Sequence, residues 1–320
     1  MLILLVALLA TAFSAPYVRA AMLRHGVLDM PNHRSSHVTP VARGGGWACV
    51  VGVVAGVGSA LLLDREVPWP TIIGAVTLGC VGFADDRHDL SPALRLAAQA
   101  GTGLLVGGAV GGVEGAIAGA VLFLVLVNVV NFMDGINGIT AVSMAVWGAS
   151  SMVIGLSYDA LSLVTLGALT TGCALGFLPW NAPTARLFLG DVGSYLFGGL
   201  VAGGAVVGWQ NGVPPVLLIA PMSIYLLDTG CTLGRRALRR EPLLTAHRDH
   251  VYQRTVAVGR LPHLLVAVTA GLLAAIVTAL WFYLDRLPAA LGTVVVAGTY
   301  LALPRLVAMR PHGSAREGLS

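Results

Sequence analysis

Charged side chains are scarce in this chain of 320 residues, where Asp, Glu, Lys and Arg make up 11% and hydrophobic residues 56%. Because soluble domains carry roughly a quarter charged residues, this scarcity excludes an ordinary soluble protein and indicates a membrane protein. Lysine is absent, so the basic residues that remain charged at neutral pH are all arginines. The net charge of +4 is small, and we attribute it to membrane topology rather than to nucleic-acid binding.

Cysteine is also scarce, and the positions of the cysteines argue against two common roles, in a metal site and in a disulfide. The spacing fits no metal site, and the cysteines are not paired in loops where a disulfide would form. All of them fall inside apolar runs, which is typical of small packing residues. The four cysteines are Cys49, Cys80, Cys173 and Cys231.

The N-terminal apolar run, residues 2–15, lacks the basic region that opens a signal peptide. Since many further apolar runs follow, we expect it to be retained as the first span. Neither a repeat of fixed period nor a low-complexity linker divides the chain. We therefore predict a single transmembrane domain over residues 1–320, ending in a flexible cytoplasmic tail at 307–320.

What the chain does contain is a series of about eleven apolar segments, each of roughly the length that a bilayer requires. These segments predict an all-α, polytopic membrane protein. Glycine is frequent within them, as expected where helices pack closely in lipid. The predicted spans are 1–21, 44–63, 69–84, 92–112, 115–132, 138–156, 160–178, 193–209, 213–234, 262–284 and 288–306.

The distribution of arginine predicts the orientation of these spans. Eleven crossings place alternate loops on opposite sides of the membrane, and all arginines except Arg65 and Arg286 fall in or near one set of loops. By the positive-inside rule, that set faces the cytoplasm. The opposite loops are very short, so we expect the protein to carry out its function at the cytoplasmic face.

Polar residues concentrate in five segments on that face. One of them carries two adjacent carboxylates, Asp85 and Asp86, at the end of an apolar run, where unpaired charge is costly. Carboxylate and amide oxygens suit Mg²⁺, arginine suits phosphate, and the glycine-rich turn at 190–193 offers N–H groups to an anion. Together these residue types predict a diphosphate–Mg²⁺ site. The segments read DMPNHRSSHVTPVARGGG, DDRHDL, NVVNFMDGINGIT, PWNAPTARLFLGDVGSY and RRALRREPLLTAHRDHVYQR.

Plainer interpretations exist for each residue taken alone. A single aspartate can cap a helix or mark topology, and Phe188 would ordinarily pack in a core. A transporter of a phosphorylated or nucleotide-linked substrate would carry charges near mid-membrane and often paired halves. A scaffold needs no polar cluster on one face, and a CDP-alcohol phosphotransferase concentrates its aspartates in one motif. The convergence of five segments favours an enzyme.

These segments, in order over residues 29–254, resemble the motifs of the polyprenyl-phosphate N-acetylhexosamine-1-phosphate transferase superfamily. The resemblance implies transfer of N-acetylhexosamine 1-phosphate from a UDP-sugar to polyprenyl phosphate, with release of UMP, as the first step of a cell-envelope glycan. It also implies an active-site cleft on the cytoplasmic face of a bacterial inner or plasma membrane. A Mg²⁺ cofactor is implied as well, with Mn²⁺ as an alternative, and a homodimer is allowed. The matching stretches are RSSHVTPVARGGG, GFADDRHDLSPALRLAAQ, NVVNFMDGINGITA, FLPWNAPTARLFLGDVGS and the histidine-containing fifth segment.

The resemblance also implies roles for individual residues. Asp191 corresponds to the principal Mg²⁺ ligand, with Asn131 as its companion. The pair Asp85 and Asp86 corresponds to the essential carboxylates near the phosphates, and His250 completes the predicted catalytic set. The implied substrate contacts are Arg43, Arg95, Asn131, Asp134, Asn137, Asn181, Phe188, His247 and Arg248.

Two of those contacts have a more specific implied role, because Asn137 and Phe188 match positions that contact uracil by a hydrogen bond and by stacking. Asp228 also falls where relatives carry an aspartate. The fifth segment departs from the pattern, since only His250 remains of a cluster that usually resembles HxHH. A run of three adjacent histidines is absent, which argues against a MurNAc-pentapeptide substrate. The HRDHVYQR pattern is closer to enzymes that initiate O-antigen-type or other surface glycans, and it leaves the sugar open.

Overall fold

A computed structural model of the protein describes residues 1–30, 39–242 and 248–309. The predicted tail from residue 310 onwards and the predicted substrate contact His247 lie outside these residues, as do two further residues of the first polar segment, Arg34 and His37. Within them the chain is almost entirely helical, which confirms the predicted all-α class. The helices are α1 (Leu2–Arg24), α2 (Gly46–Leu62), α3 (Trp69–His88), α4 (Pro92–Met133), α5 (Ile139–Ser157), α6 (Leu161–Asn181), α7 (Gly190–Gln210), α8 (Pro215–Ile219), α9 (Ser223–Leu238), α10 (Val251–Gly259), α11 (His263–Tyr283) and α12 (Arg286–Ala308).

The predicted apolar segments coincide with these helices. Two predicted segments, 92–112 and 115–132, lie on α4, which is broken at Gly111 and Gly112. Gly112 has φ 60° and ψ −145°, a backbone conformation that glycine adopts more readily than other residues. By length and composition, eight of the described helical stretches qualify to cross a membrane. The protein is thus a multi-pass membrane protein, while the count of eleven crossings stays a prediction.

Helix α7 lies at the centre of the fold. In its most apolar stretch 94% of the residues are buried, whereas the corresponding figure for α1 and α12 is 22%. A helix that is apolar all round is stable when neighbours surround it. Helices α3 and α4 make the most extensive contacts with α7. The first turn of this central helix therefore meets several other elements, and that turn carries Asp191.

A small three-stranded sheet lies beside the start of α7. Strand β2 (Val41–Arg43) pairs antiparallel with β1 (Leu28–Asp29) and parallel with β3 (Leu187–Phe188). The register places Arg43 next to Phe188. After β2, the N–H groups of Gly44 and Gly45 donate to the carbonyl of Phe188, at 3.2 and 2.8 Å. These bonds hold the glycine-rich segment across the N-terminus of α7.

Glycine also lets two helices approach the start of α7 backbone to backbone. A Cβ added to Gly82 of α3 would lie 2.2 Å from the carbonyl oxygen of Asp191, and one added to Gly46 of α2 would lie 2.2 Å from the nitrogen of Gly193. Both distances are far below van der Waals contact. Side chains at either position would therefore push α7 away from the carboxylates of α3.

Candidate active site

Asp191 is the most accessible of the predicted catalytic carboxylates. Its side chain is 18% exposed, compared with 2% for Asp85 and 0% for Asp86. Its Oδ1 accepts hydrogen bonds from Nη2 of Arg43 at 2.8 Å and from Nδ2 of Asn131 at 3.0 Å. The carboxylate is thus held from two sides by different elements. Of the three carboxylates, Asp191 is the one that a ligand in the site can reach most easily.

Asp86 anchors the start of α7. Its Oδ2 accepts from the N–H of Asp191 at 2.9 Å and from the N–H of Val192 at 3.4 Å, and its Oδ1 lies 2.7 Å from Nε of Arg43. The first N–H groups of a helix lack partners within the helix, and an anion there is favoured by the helix dipole. The prediction that the turn at 190–193 offers these groups to a ligand was wrong. The anion that they bind is the Asp86 carboxylate itself.

The charges around Asp86 are closely balanced. Asp86 lies outside the predicted membrane span 69–84. Burial raises the pKa of its carboxyl to about 7, because the lowering effect of the Arg43 charge is smaller than the effect of burial, and the Asp191 charge also raises the pKa. Burial lowers the pKa of Arg43, but the carboxylates of Asp191 and Asp86 outweigh it and hold the pKa above its ordinary value. The guanidinium therefore remains charged between the two carboxylates.

Asp85 faces different partners from its neighbour. Its Oδ1 accepts from the N–H of Leu90 at 2.9 Å, and its Oδ2 accepts from Nη1 of Arg95 at 3.1 Å and from the hydroxyl of Tyr195 at 3.0 Å. Successive side chains of a helix point about 100° apart, so adjacent aspartates cannot share one partner set. We did not predict Tyr195. Its only signal in the sequence is its position one turn after Asp191 on a helix that enters the site.

These residues enclose a cavity of about 570 Å³. It brings together guanidinium groups and carboxylates from the sheet, α3, α4 and α7, so three of the four predicted catalytic residues and two of the predicted substrate contacts share one space. Such alternation of charge suits a ligand that is anionic but is accompanied by a cation. The lining residues are Arg43, Asp85, Asp86, Arg87, His88, Asp89, Arg95 and Asp191.

The donor set fits Mg²⁺ better than a metal that needs a closed protein cage. Among the described residues no cluster of three or more His, Cys, Asp or Glu side chains is arranged to hold a metal. Mg²⁺ usually binds through one or two protein oxygens and takes its remaining ligands from phosphate and water. The accessible Asp191 carboxylate, with the Asn131 amide that bonds to it and to Ser194, provides a set of this kind.

Two of the predicted substrate contacts, Asn137 and Asn181, connect the segment after α4 to the segment before β3. Nδ2 of Asn137 donates to the carbonyl of Pro183 at 3.1 Å. Asn181 is buried, accepts from the N–H of Gly138 and donates to the carbonyl of Leu187 at 3.2 Å. Their contact with a substrate stays a prediction. Since both amides connect backbone segments, they also define the shape of this side of the site.

Asp134 follows directly on α4, and its side chain is also engaged within the protein. Its Oδ1 accepts from Oγ1 of Thr140 at 2.6 Å. Burial raises the pKa of the carboxyl to about 6, and the bond from Thr140 opposes this shift. Phe188, in contrast, is half-buried at the end of the sheet. Its ring therefore has a partly accessible surface.

His250 and Asp228 form a second buried polar cluster. Nδ1 of His250 lies 3.0 Å from Oδ1 of Asp228, and both side chains are almost fully buried. The carboxylate also receives the N–H groups of Val251 and Tyr252, which open α10, and the hydroxyl of Tyr300 from α12. Asp228 therefore fixes the start of α10 and the orientation of His250. The sequence singled out Asp228 through its match with relatives that carry an aspartate at this position.

The cluster of His250 and Asp228 is connected to the site around Asp191 through α4. The hydroxyl of Tyr252 donates to the carbonyl of Phe132 at 3.3 Å, next to Asn131. The fifth polar segment thus packs against the third polar segment, near the C-terminal end of α4. Arg248 is exposed, and its contact with a substrate stays a prediction.

Comparison with known proteins shows what the chain is similar to. The family model described as "Glycosyl transferase family 4" matches residues 69–209. A probable undecaprenyl-phosphate N-acetylglucosaminyl 1-phosphate transferase of Bacillus subtilis is 26% identical, over 80% of this chain and 76% of its own length. The decaprenyl-phosphate N-acetylglucosaminephosphotransferase of Mycobacterium tuberculosis is 29% identical, over 94% and 88%. A phospho-N-acetylmuramoyl-pentapeptide-transferase of Mycobacterium avium is 34% identical but over only 45% and 46%. The chain is thus similar to glycosyl transferase family 4 over residues 69–209 and, over most of its length, to polyprenyl-phosphate N-acetylglucosamine-1-phosphate transferases.

Proposed function

We propose that the protein transfers N-acetylglucosamine 1-phosphate from a UDP-sugar to polyprenyl phosphate and releases UMP. The single observation that carries this proposal is the cavity in which Arg43, Arg95 and Asp191 meet at the ends of membrane-embedded helices. The names of relatives that match most of the chain support the acceptor lipid and the sugar. The arginine distribution supports a cleft that faces the cytoplasm.

The reaction is a single displacement at phosphorus. An oxygen of the lipid phosphate forms a new bond to the phosphorus that carries the sugar, and the bond from that phosphorus to the oxygen bridging to UMP breaks. A phosphate monoester has a second pKa near about 6, so the nucleophile is largely ionised at neutral pH and needs no strong base. The transition state spreads negative charge over the phosphate oxygens, and catalysis then depends on positioning and charge neutralisation.

The residues of the cavity divide this work. Arg43 and Arg95 supply positive charge to the phosphate oxygens. Asp191 and Asn131 would hold Mg²⁺, which would supply further positive charge to the diphosphate. Asp86 orients Asp191 by accepting its N–H, and Asp85 orients Arg95. Because protein groups already occupy the oxygens of Asp85 and Asp86, we assign the pair an orienting role.

Assays with defined substrates test the proposal. Purified protein in lipid is given undecaprenyl phosphate with UDP-N-acetylglucosamine, other UDP-N-acetylhexosamines or UDP-MurNAc-pentapeptide, and UMP release is measured with Mg²⁺, with Mn²⁺ or with EDTA. We expect release that requires the lipid phosphate and the metal and is fastest with UDP-N-acetylglucosamine. Preference for UDP-MurNAc-pentapeptide would replace the proposed substrate. Uptake of UDP-sugar into vesicles without any UMP release would show a transporter instead.

The role of Phe188 can be measured separately. We expect Phe188→Ala to raise the KM for the UDP-sugar roughly tenfold, because stacking of a base on an aromatic ring contributes about 1–3 kcal/mol. The strand bonds at this position use the backbone, so the unfolding temperature should change little. Phe13→Ala, on the exposed surface of α1, is the matched control. An unchanged KM in the Phe188 variant would remove the stacking role.

A further inference from the structure

Helix α4 is a hairpin whose halves pack backbone to backbone. The break at Gly111 and Gly112 separates residues 92–110 from 113–133. A Cβ on Gly103 would lie 2.4 Å from the carbonyl oxygen of Gly119, and a Cβ on Gly107 would lie 2.0 Å from that of Gly115. Small residues allow this close approach in lipid.

Glycine packing alone leaves the register of the hairpin ambiguous. The glycines recur at intervals of four residues, which is close to one helical turn. A slip of one turn in one direction pairs Gly103 with Gly115, and a slip in the other direction pairs Gly107 with Gly119. Either slip moves one half by about 5.4 Å along the other. The turn at Gly111 and Gly112 favours the observed register, because either slip would shift the turn away from these glycines. An interaction across the hairpin would secure that register against the alternatives that glycine packing allows.

A buried amide pair provides this interaction. Nδ2 of Asn128 donates to Oε1 of Gln99 across the hairpin. Gln99 has no exposed surface, and Nε2 of its amide has no hydrogen-bond partner in the described part of the chain. A buried, unsatisfied donor is destabilising, so an apolar pair would be the more stable choice. The pair is therefore better explained by specificity than by stability, as with single buried polar pairs that set helix register elsewhere.

The amide pair also lies one turn away from the active site on both halves of the hairpin. Gln99 is four residues after Arg95, which donates to Asp85. Asn128 is three residues before Asn131, which donates to Asp191. The register of the hairpin therefore sets the relative height of Arg95 and Asn131, and with it the geometry of the cavity.

We propose that Gln99 and Asn128 are positioning residues for the transfer reaction: their amide bond selects the register of the α4 hairpin and so holds Arg95 and Asn131 at their working separation. This inference rests on the proposed function for its effect on catalysis. It does not require either amide to contact a substrate.

Apolar and exchanged pairs test the proposal kinetically. The variants are Gln99→Leu with Asn128→Leu, and the exchange Gln99→Asn with Asn128→Gln, which restores an amide bond of similar total length. We expect the leucine pair to lower kcat about 10²-fold, since a misplacement of about 1 Å can have this effect. Its KM for the UDP-sugar should stay within roughly twofold and its unfolding temperature should not fall. The exchanged pair should recover most of the lost activity.

A distance measurement reads the register without any activity. Spin labels at Leu96 and Val113, which are exposed and lie far apart along the axis of the hairpin, are introduced after Cys80 and Cys231 are replaced by serine. We expect the distance distribution of the leucine pair to broaden or shift by about 5 Å, the length of one turn. The exchanged pair should keep the wild-type distance.

Three results would overturn the inference: full activity in the leucine pair, an unchanged label distance in that variant, or a loss of activity that follows a loss of stability. Failure of the proposed function looks different. In that case the wild-type protein releases no UMP from any UDP-sugar, while the label distances still report whether the amide pair sets the register.

Discussion

Asp191→Asn is expected to reduce UMP release at least about 10³-fold, the upper range for loss of one preorganised charge-stabilising group. The substitution keeps an oxygen that can accept from Arg43 and Asn131, so the local hydrogen bonds and the unfolding temperature should persist. What is lost is the negative charge of the most accessible of the three predicted catalytic carboxylates. A neutral amide oxygen is a much weaker ligand for Mg²⁺ than a carboxylate.

The metal assignment can be checked in the same variant. Binding of UDP-N-acetylglucosamine is measured by calorimetry with and without Mg²⁺, and we expect the Mg²⁺-dependent part of the affinity to disappear. Asp285→Asn is the control, because Asp285 is exposed at the start of α12 and makes no capping bond with its side chain. Normal turnover by Asp191→Asn, or unchanged Mg²⁺ dependence, would show that another group binds the metal.

Arg43→Lys is expected to lower kcat about 10²-fold although it preserves the positive charge. Arg43 contacts Asp86 through Nε and Asp191 through Nη2 at the same time, at 2.7 and 2.8 Å. A lysine ammonium on a flexible stem cannot reproduce this planar fork, so Arg-to-Lys changes at such sites are not conservative. The two carboxylates then lose the group that holds them in one arrangement.

Arg87→Lys provides a control for this substitution, since Arg87 lines the same cavity but lies over the ring of Phe83. We expect its kcat to stay near the wild-type value. Both variants are assayed for UMP release at saturating lipid phosphate, and their unfolding temperatures are compared. Equal activity of the two variants would mean that Arg43 contributes only charge, and that its fork geometry is unimportant.

Sequence patterns predicted the elements of this site better than their connections. The apolar segments predicted the helices, because a bilayer imposes a minimum length and excludes charge. Two separate apolar segments were predicted on either side of the break at Gly111–Gly112, and in the structure they form the two halves of one hairpin. The three short strands were not predicted, since strands of two or three residues leave no periodic pattern.

The predicted site residues separate into three groups in the structure. Asp191, Asp86 and Arg43 meet directly at the start of α7. Asn137 and Asn181 connect two loops, and His250 is held by the buried Asp228. Their membership of one face could be predicted from the alternation of loops, but their partners could not. Hydrogen-bond partners depend on side-chain direction, which is set only when the helices pack.

The adjacent pair of Asp85 and Asp86 shows where the two levels of information divide. The sequence by itself determined that this is a multi-pass helical protein with carboxylates, arginines and amides gathered at one set of helix ends, because lipid excludes charge from everywhere else. Only the tertiary structure decided that the two neighbours serve different elements, Asp85 binding Arg95 of α4 and Asp86 the first turn of α7. The physical reason is the helical rotation of about 100° per residue, which directs adjacent side chains to different neighbours. With Asp85 and Asp86 engaged in this way, Asp191 is the most accessible of the three predicted catalytic carboxylates.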